Sequence, residues 1–216
     1  MGLLFDHDNH AYFLDGTRLP SVTQILRDQG LIHFNGIPPT ILEAARRRGS
    51  AVHALIHYDN ENDLDETSVD ENWRAYLEAW RACRAERHIV CLLCERRLAS
   101  RRHRVCGTLD LLCEIDGDGW LLDYATGDPD HVAKHLQTAG YLGLALEWAI
   151  EDAELGRVLS RFPRWRRASV RLRRTGTFVF REYTDTREYT RFQILAAAWH
   201  IRQEEGGIVV ADDLAA

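Results

Sequence analysis

Asp110 and Asp123 are the two residues of this chain whose types and spacing most directly suggest chemistry. They stand in two strand-like runs, 104–114 and 120–126, separated by Asp116-Gly117-Asp118-Gly119, a strong hairpin signal. A turn centred on Gly117-Asp118 pairs position 110 with 125 and 112 with 123. A turn centred on Asp118-Gly119 pairs 112 with 125 and 114 with 123. Either register puts Asp110, Asp123 and Ala125 on one face, because directly opposed residues point the same way and positions two apart share a face. The two carboxylates then converge diagonally across the pair, within reach of one hard divalent cation such as Mg²⁺ or Mn²⁺. Taken alone, two strand aspartates are more often ordinary exposed side chains.

The elements around this hairpin read as one continuous α/β organisation without an internal repeat. Positions 10–18 form a small hairpin turning at Asp15-Gly16, and Ser21-Val22-Thr23-Gln24 is a capping box opening a short helix that Gly30 ends. A longer helix starts near Pro38-Pro39 and runs to about position 58, and the acidic segment from Asp59 reads as an exposed loop. Trp73, Tyr76, Leu77 and Trp80 recur at helical spacing in a helix over about 69–87. A strand over 89–98 precedes the hairpin. A helix over about 130–153, strands over 169–173 and 177–183, and a final helix over about 186–204 follow it. The layout predicts a mixed α/β fold, with a central mixed sheet flanked by helices.

With 216 residues, 45% of them hydrophobic, and six tryptophans, the chain is expected to be a single ordered domain. Positions 1–60 supply a hairpin and helices, and 89–205 the core. No apolar run approaches the ~18 residues that cross a bilayer, and Met1-Gly2-Leu3-Leu4-Phe5-Asp6 does not read as a signal peptide, so no membrane association and a cytoplasmic location are expected. Five cysteines without a secretory signal read as reduced thiols. Cys91-x-x-Cys94 invites a metal reading, but an iron–sulfur cluster needs four thiolates, nothing after Cys113 is cysteine, and none is expected. The net charge of −6 is unevenly placed: 59–71 holds seven acids and no base, whereas 161–174 holds seven arginines and no acid. Arg96, Arg97, Arg101, Arg102 and Arg104 form a second basic stretch. Local arginine clusters bind phosphate whatever the global charge, so Arg166 and Arg167 are candidate DNA-backbone contacts.

Gly107-Thr108-Leu109-Asp110, then Asp123-Tyr124-Ala125-Thr126-Gly127, then Gln137-x-x-x-Tyr141 resemble the motifs of the RecB-like branch of the PD-(D/E)xK nuclease superfamily. Upstream, Leu19-Pro20-Ser21-Val22-Thr23-Gln24-Ile25-Leu26 and Arg48-Gly49-Ser50-Ala51-Val52-His53 resemble the amino-terminal signatures of phage and mitochondrial genome-maintenance exonucleases. Each motif is weak by itself; together and in order, from about position 12 to 141, they are specific. The resemblance implies a restriction-endonuclease-like core and a Mg²⁺- or Mn²⁺-dependent DNA exonuclease of recombination or repair. It would act on linear or single-stranded DNA ends in a bacterium or phage-infected host, with or without an annealing partner protein. It implies His53, Asp110, Asp123 and the carbonyl of Tyr124 as metal ligands and Glu95 as an acid assisting a second ion. It also implies Gln137 and Tyr141, which share a helix face, as residues lining the site. Arg48, with Arg46 and Arg47, stands where a terminal phosphate could be received.

The resemblance also calls for a lysine at position 125, to orient or deprotonate the attacking water and to stabilise developing charge. Ala125 supplies neither. A lysine-to-alanine substitution that removes cleavage and spares the metal ligands is the first explanation, natural loss of catalysis the second, and relocation of the lysine the third. Lys134 is the sole lysine of the chain, and a helix lysine is ordinarily exposed. The chain is therefore expected to be a catalytically silent nuclease, or else a DNA-end-binding module on the same fold.

Overall fold

Asp116 and Gly117 both adopt left-handed backbone angles, φ +52° and +81°, the signature of a type I′ two-residue turn whose twist suits the strands it joins. In the computed structural model, which describes residues 2–7, 9–33 and 36–205, this turn connects two central strands with Ile115 opposite Asp118. The turn is thus centred one residue earlier than the first register considered above and two earlier than the second, which shifts the pairings by two or four residues. Because the displacement is an even number of residues, the shared face of Asp110 and Asp123 is preserved. The ladder ends at Leu111 opposite Leu122, and its continuation sets Asp110 directly across from Asp123 rather than diagonal to it.

In chain order the elements are β1 (Leu3–Asp6), β2 (Ala11–Leu14), β3 (Thr17–Leu19), α1 (Val22–Asp28), α2 (Pro39–Asn60), α3 (Glu71–Glu86), β4 (Val90–Ser100), β5 (Val105–Ile115) and β6 (Asp118–Ala125). They continue with α4 (Val132–Trp148), α5 (Ala153–Leu159), β7 (Trp165–Leu172), β8 (Phe178–Tyr183) and α6 (Glu188–Glu205). Strands β4-β5-β6-β7-β8 form a five-stranded mixed sheet in that order, antiparallel except for the parallel β6/β7 pair. A parallel pair needs a crossover, and α4 with α5 provides it. The single helix expected over 130–153 is divided, because Asp152 caps a new one by accepting from the amide of Leu155. Among the described residues no helix is long and apolar enough to cross a membrane.

The sheet has a core on each side. Val22, Ile25 and Leu26 of α1, Leu136 and Leu144 of α4, Leu155 of α5 and Phe192 of α6 cover one side together with Leu112 and Leu121. Val52 and Ile56 of α2 and Tyr76 and Trp80 of α3 cover the other together with Leu111, Leu122 and Tyr124. Ser21 caps α1 by accepting from Gln24 N, and a bridge from Ser21 to Cys106 ties the β1-β2-β3 sheet and α1 to β5. The acidic segment does not begin in a loop: Asp59 lies in the last turn of α2, buried against Arg81 and Arg84. Asn60 accepts from Trp80 Nε1 at 2.9 Å and donates to Tyr124 Oη at 3.0 Å. The carboxyl end of α2 is thereby fixed to α3 and β6, and with it the helix face that carries His53.

Candidate metal centre

Where the β5/β6 ladder stops, Asp110 replaces a strand hydrogen bond with its side chain: Oδ2 accepts from the Tyr124 amide at 2.7 Å. Its other oxygen lies 3.5 Å from His53 Nδ1, and Glu95 Oε1 lies 3.6 Å from the same nitrogen. His53, Glu95 and Asp110 each bring one ligand atom within 4.8 Å of the others. Val52 and Ile56, buried on either side of His53 in sequence, seat this stretch of α2 on the sheet. Glu95 sits in β4 at φ +46°, a left-handed conformation that costs a non-glycine residue about 1–3 kcal/mol and is met most often at functional sites. Its Oε1 is buried without a hydrogen-bond partner. A cation would satisfy that oxygen, and one imidazole with two carboxylates is a donor set that a divalent metal ion takes.

Asp123 does not complete this cluster as the sequence suggested. It is almost fully buried, and its Oδ2 accepts from Lys134 Nζ at 2.8 Å and from Ser169 Oγ at 3.1 Å. Glu95, expected only as an assisting acid, takes that place beside His53 and Asp110. Tyr124 meets the site through its amide and through its ring, which stands edge-on to His53 with centroids 5.7 Å apart. Ser169 carried no signal in the sequence; the parallel β6/β7 register sets it opposite Asp123.

Lys134 is not an exposed helix lysine. From the first turn of α4 it reaches back to β6 and keeps only a quarter of its side chain exposed. A cation near a helix amino terminus opposes the helix dipole, and the buried Asp123 carboxylate compensates it. A cavity of about 230 Å³ is lined by His53, Tyr124, Ala125, Gly127 and Lys134. The alanine and the lysine therefore share one space. A wider groove of about 590 Å³ between α4 and the ends of β7 and β8 contains Arg166 and Arg167 but neither His53 nor Lys134, so the chemistry follows the smaller cavity.

Tyr141 is buried. Its ring lies so close to Gly107 that a Cβ there would meet Cε1 at 2.7 Å. Its hydroxyl lies 3.3 Å from both Thr23 Oγ1 and Gln137 Nε2. Gly107 and Tyr141 are thus complementary shapes that join β5, α4 and α1, while Gln137 remains half-exposed. Arg48 Nε donates to Thr126 Oγ1 at 3.4 Å, at the mouth of the cavity. Arg166 and Arg167 are not free for a phosphate. Arg166 is paired with Glu182 and Asp118 and stacked over Trp120, and the buried Arg167 is held by Glu188 at 2.7 Å. In the second basic stretch Arg96 is paired with Asp152 and Glu154, and Arg101 with Asp15 and Glu151.

Burial disfavours a charge on His53, but Asp110, Glu95 and Asp123 outweigh it and raise the imidazole to about 9. Burial raises Asp110 to about 7, with Asp123 and Glu95 adding to the rise and His53 opposing it. Both folded-state values lie above the ordinary ones, so the protonated forms favour the fold. The Asp110 contribution is complete below about pH 4 and the His53 contribution below about pH 6.5. Both are lost as pH rises, through about 7 and about 9 respectively. A metal must displace the same protons. The chelated protein is expected to melt at a lower temperature at pH 9 than at pH 6.5, and Mn²⁺ affinity to increase across that interval. Thermal scans with chelator and with Mn²⁺ check both; a pH-independent Mn²⁺ affinity would refute the assignment of His53 and Asp110 as ligands.

Compared with known proteins, the chain matches no family model and no curated sequence at a significant level.

Proposed function

We propose that the chain is a Mg²⁺- or Mn²⁺-dependent DNA phosphodiesterase of the RecB-like PD-(D/E)xK kind, a DNA exonuclease acting in recombination, repair or end processing. The observation that carries this reading is the Lys134 ammonium, 2.8 Å from Asp123 and in one cavity with His53 and Ala125. A lysine side chain at position 125 would rise from the face of β6 beside Asp123, and Lys134 reaches the same carboxylate from α4. The relocation that ranked third on sequence is the reading this geometry favours.

A bound divalent ion supplies an acidified water and a polarised phosphoryl oxygen. His53, Glu95 and Asp110 present the donors that would hold it. Lys134, aimed by Asp123, which Ser169 holds in turn, would orient the attacking water and stabilise charge on the phosphate. Arg48 stands beside Thr126 at the entrance, suited to an incoming phosphate.

End-labelled linear DNA, incubated with the protein and Mn²⁺ or Mg²⁺, is expected to be degraded, and covalently closed circles spared. Asp123→Asn is expected to abolish degradation. Ala125 favours a second reading, a DNA-end-binding module without catalysis. Binding of ends without cleavage, by both the chain and Ala125→Lys, would establish that reading and sink the first.

A further inference from the structure

Cys91-x-x-Cys94 and His57 have no part in the centre described above, and the fold brings them to one place. Residues three apart on a regular strand point to opposite faces. In β4 the register slips between Cys91 and Leu93, leaving Leu92 as a bulge. Both thiols consequently pack against the core on the α2/α3 side of the sheet. His57, in the last turn of α2, and Glu61, the residue that caps its end, are four apart and share a face. His57, Glu61 and Cys94 each place one ligand atom within 4.8 Å of the others. His57 Nδ1 is enclosed with no hydrogen-bond partner, a state that leaves a buried polar group unsatisfied at a cost of about 1–3 kcal/mol.

We propose that His57, Glu61 and Cys94 form a second metal site, chemically distinct from the His53–Glu95–Asp110 centre and selective for Zn²⁺ or a similar borderline ion. One imidazole, one thiolate and one carboxylate are the nitrogen, sulfur and oxygen donors zinc takes, whereas Mg²⁺ has no use for sulfur. Zinc–ligand bonds of about 2.0–2.3 Å put neighbouring ligand atoms about 3–4 Å apart, so the three side chains need to close by only about an ångström. Glu61 is exposed, which leaves the fourth position to water. The ion would clamp the end of α2 to β4. His53 lies one turn before His57 and Glu95 directly follows Cys94, so the clamp would fix the spacing of the first centre. The proposal does not depend on nuclease activity.

The test is titration of chelator-stripped protein with Co²⁺, a spectroscopic substitute for zinc, before any assay on DNA. One equivalent is expected to produce a thiolate-to-cobalt charge-transfer band that Zn²⁺ abolishes and excess Mg²⁺ does not. Cys94→Ser should eliminate the band and His57→Ala should weaken binding by at least about 100-fold, both with unchanged circular dichroism. Asp110→Asn should leave the band intact. Absence of the band in the unsubstituted protein, or its survival in Cys94→Ser, overturns the proposal, as does its loss in Asp110→Asn, which would mean one shared centre. DNA cleavage with no cobalt band would retain the proposed function and remove the second site; the band without cleavage would do the reverse.

Discussion

Lys134→Ala is expected to lower DNA cleavage by about 10²–10⁴-fold, the usual cost of removing one electrostatic or general-base contributor, while Mn²⁺ binding is not weakened. The ammonium contacts Asp123 and no residue of the His53–Glu95–Asp110 cluster, so its loss subtracts positive charge from the cavity and removes no ligand. Asp123 would be left buried with Ser169 as its remaining side-chain donor. An unpaired buried carboxylate destabilises, here by roughly 1–3 kcal/mol because Lys134 is partly exposed and its pair partly screened. That loss should be visible in thermal scans in chelator. The decisive comparison is the double variant. Lys134→Ala with Ala125→Lys returns an ammonium to the same cavity from β6 and is expected to recover most of the lost rate. Single-turnover assays at matched Mn²⁺ occupancy measure it. Parental cleavage by Lys134→Ala would show that this lysine has no catalytic part, and failure of the double variant would show that the two positions are not equivalent.

The sequence carried the shared face of Asp110 and Asp123 through an incorrect choice of turn, for a physical reason. Side-chain direction along a strand depends on parity, and an even displacement of register leaves it untouched. Local patterns also located most helices and all strands of the hairpin, because caps, turns and periodicity are short-range. Contacts made across the crossover were not legible. Ser169 meets Asp123 only because β7 returns parallel to β6, and Lys134 reaches β6 only because α4 starts that crossover. The partners of the arginines were hidden for a related reason. In a chain with 33 acids and 27 basic residues, a run such as 161–174 has internal partners that lie far away in sequence, as Arg167 does in Glu188 and Arg161 in Glu114. The bulge at Leu92 likewise turns a spacing that separates two thiols into one that brings them together, and no residue in Cys91–Cys94 announces it.

Asp110→Asn is expected to reduce Mn²⁺ affinity by at least about 100-fold and to abolish cleavage, with the fold retained. The substitution preserves size, and the asparagine oxygen can still accept from the Tyr124 amide, so the local hydrogen bond at the end of the β5/β6 ladder survives. What changes is the oxygen facing His53 Nδ1 and the orphaned Glu95 Oε1. A primary amide points donor hydrogens at the position a cation would take and carries no charge. Loss of one residue that only supports a ligand already costs about 10–100-fold in metal affinity, and loss of a ligand costs more. Removing the Asp110 carboxylate also takes away the largest of the influences that raise His53. In Asp110→Asn the imidazole should therefore titrate lower, which a histidine NMR titration detects independently of any metal. Calorimetry then separates the readings: unchanged Mn²⁺ affinity in Asp110→Asn would place the ion elsewhere, whereas weakened binding together with the lowered His53 titration ties both effects to the same carboxylate.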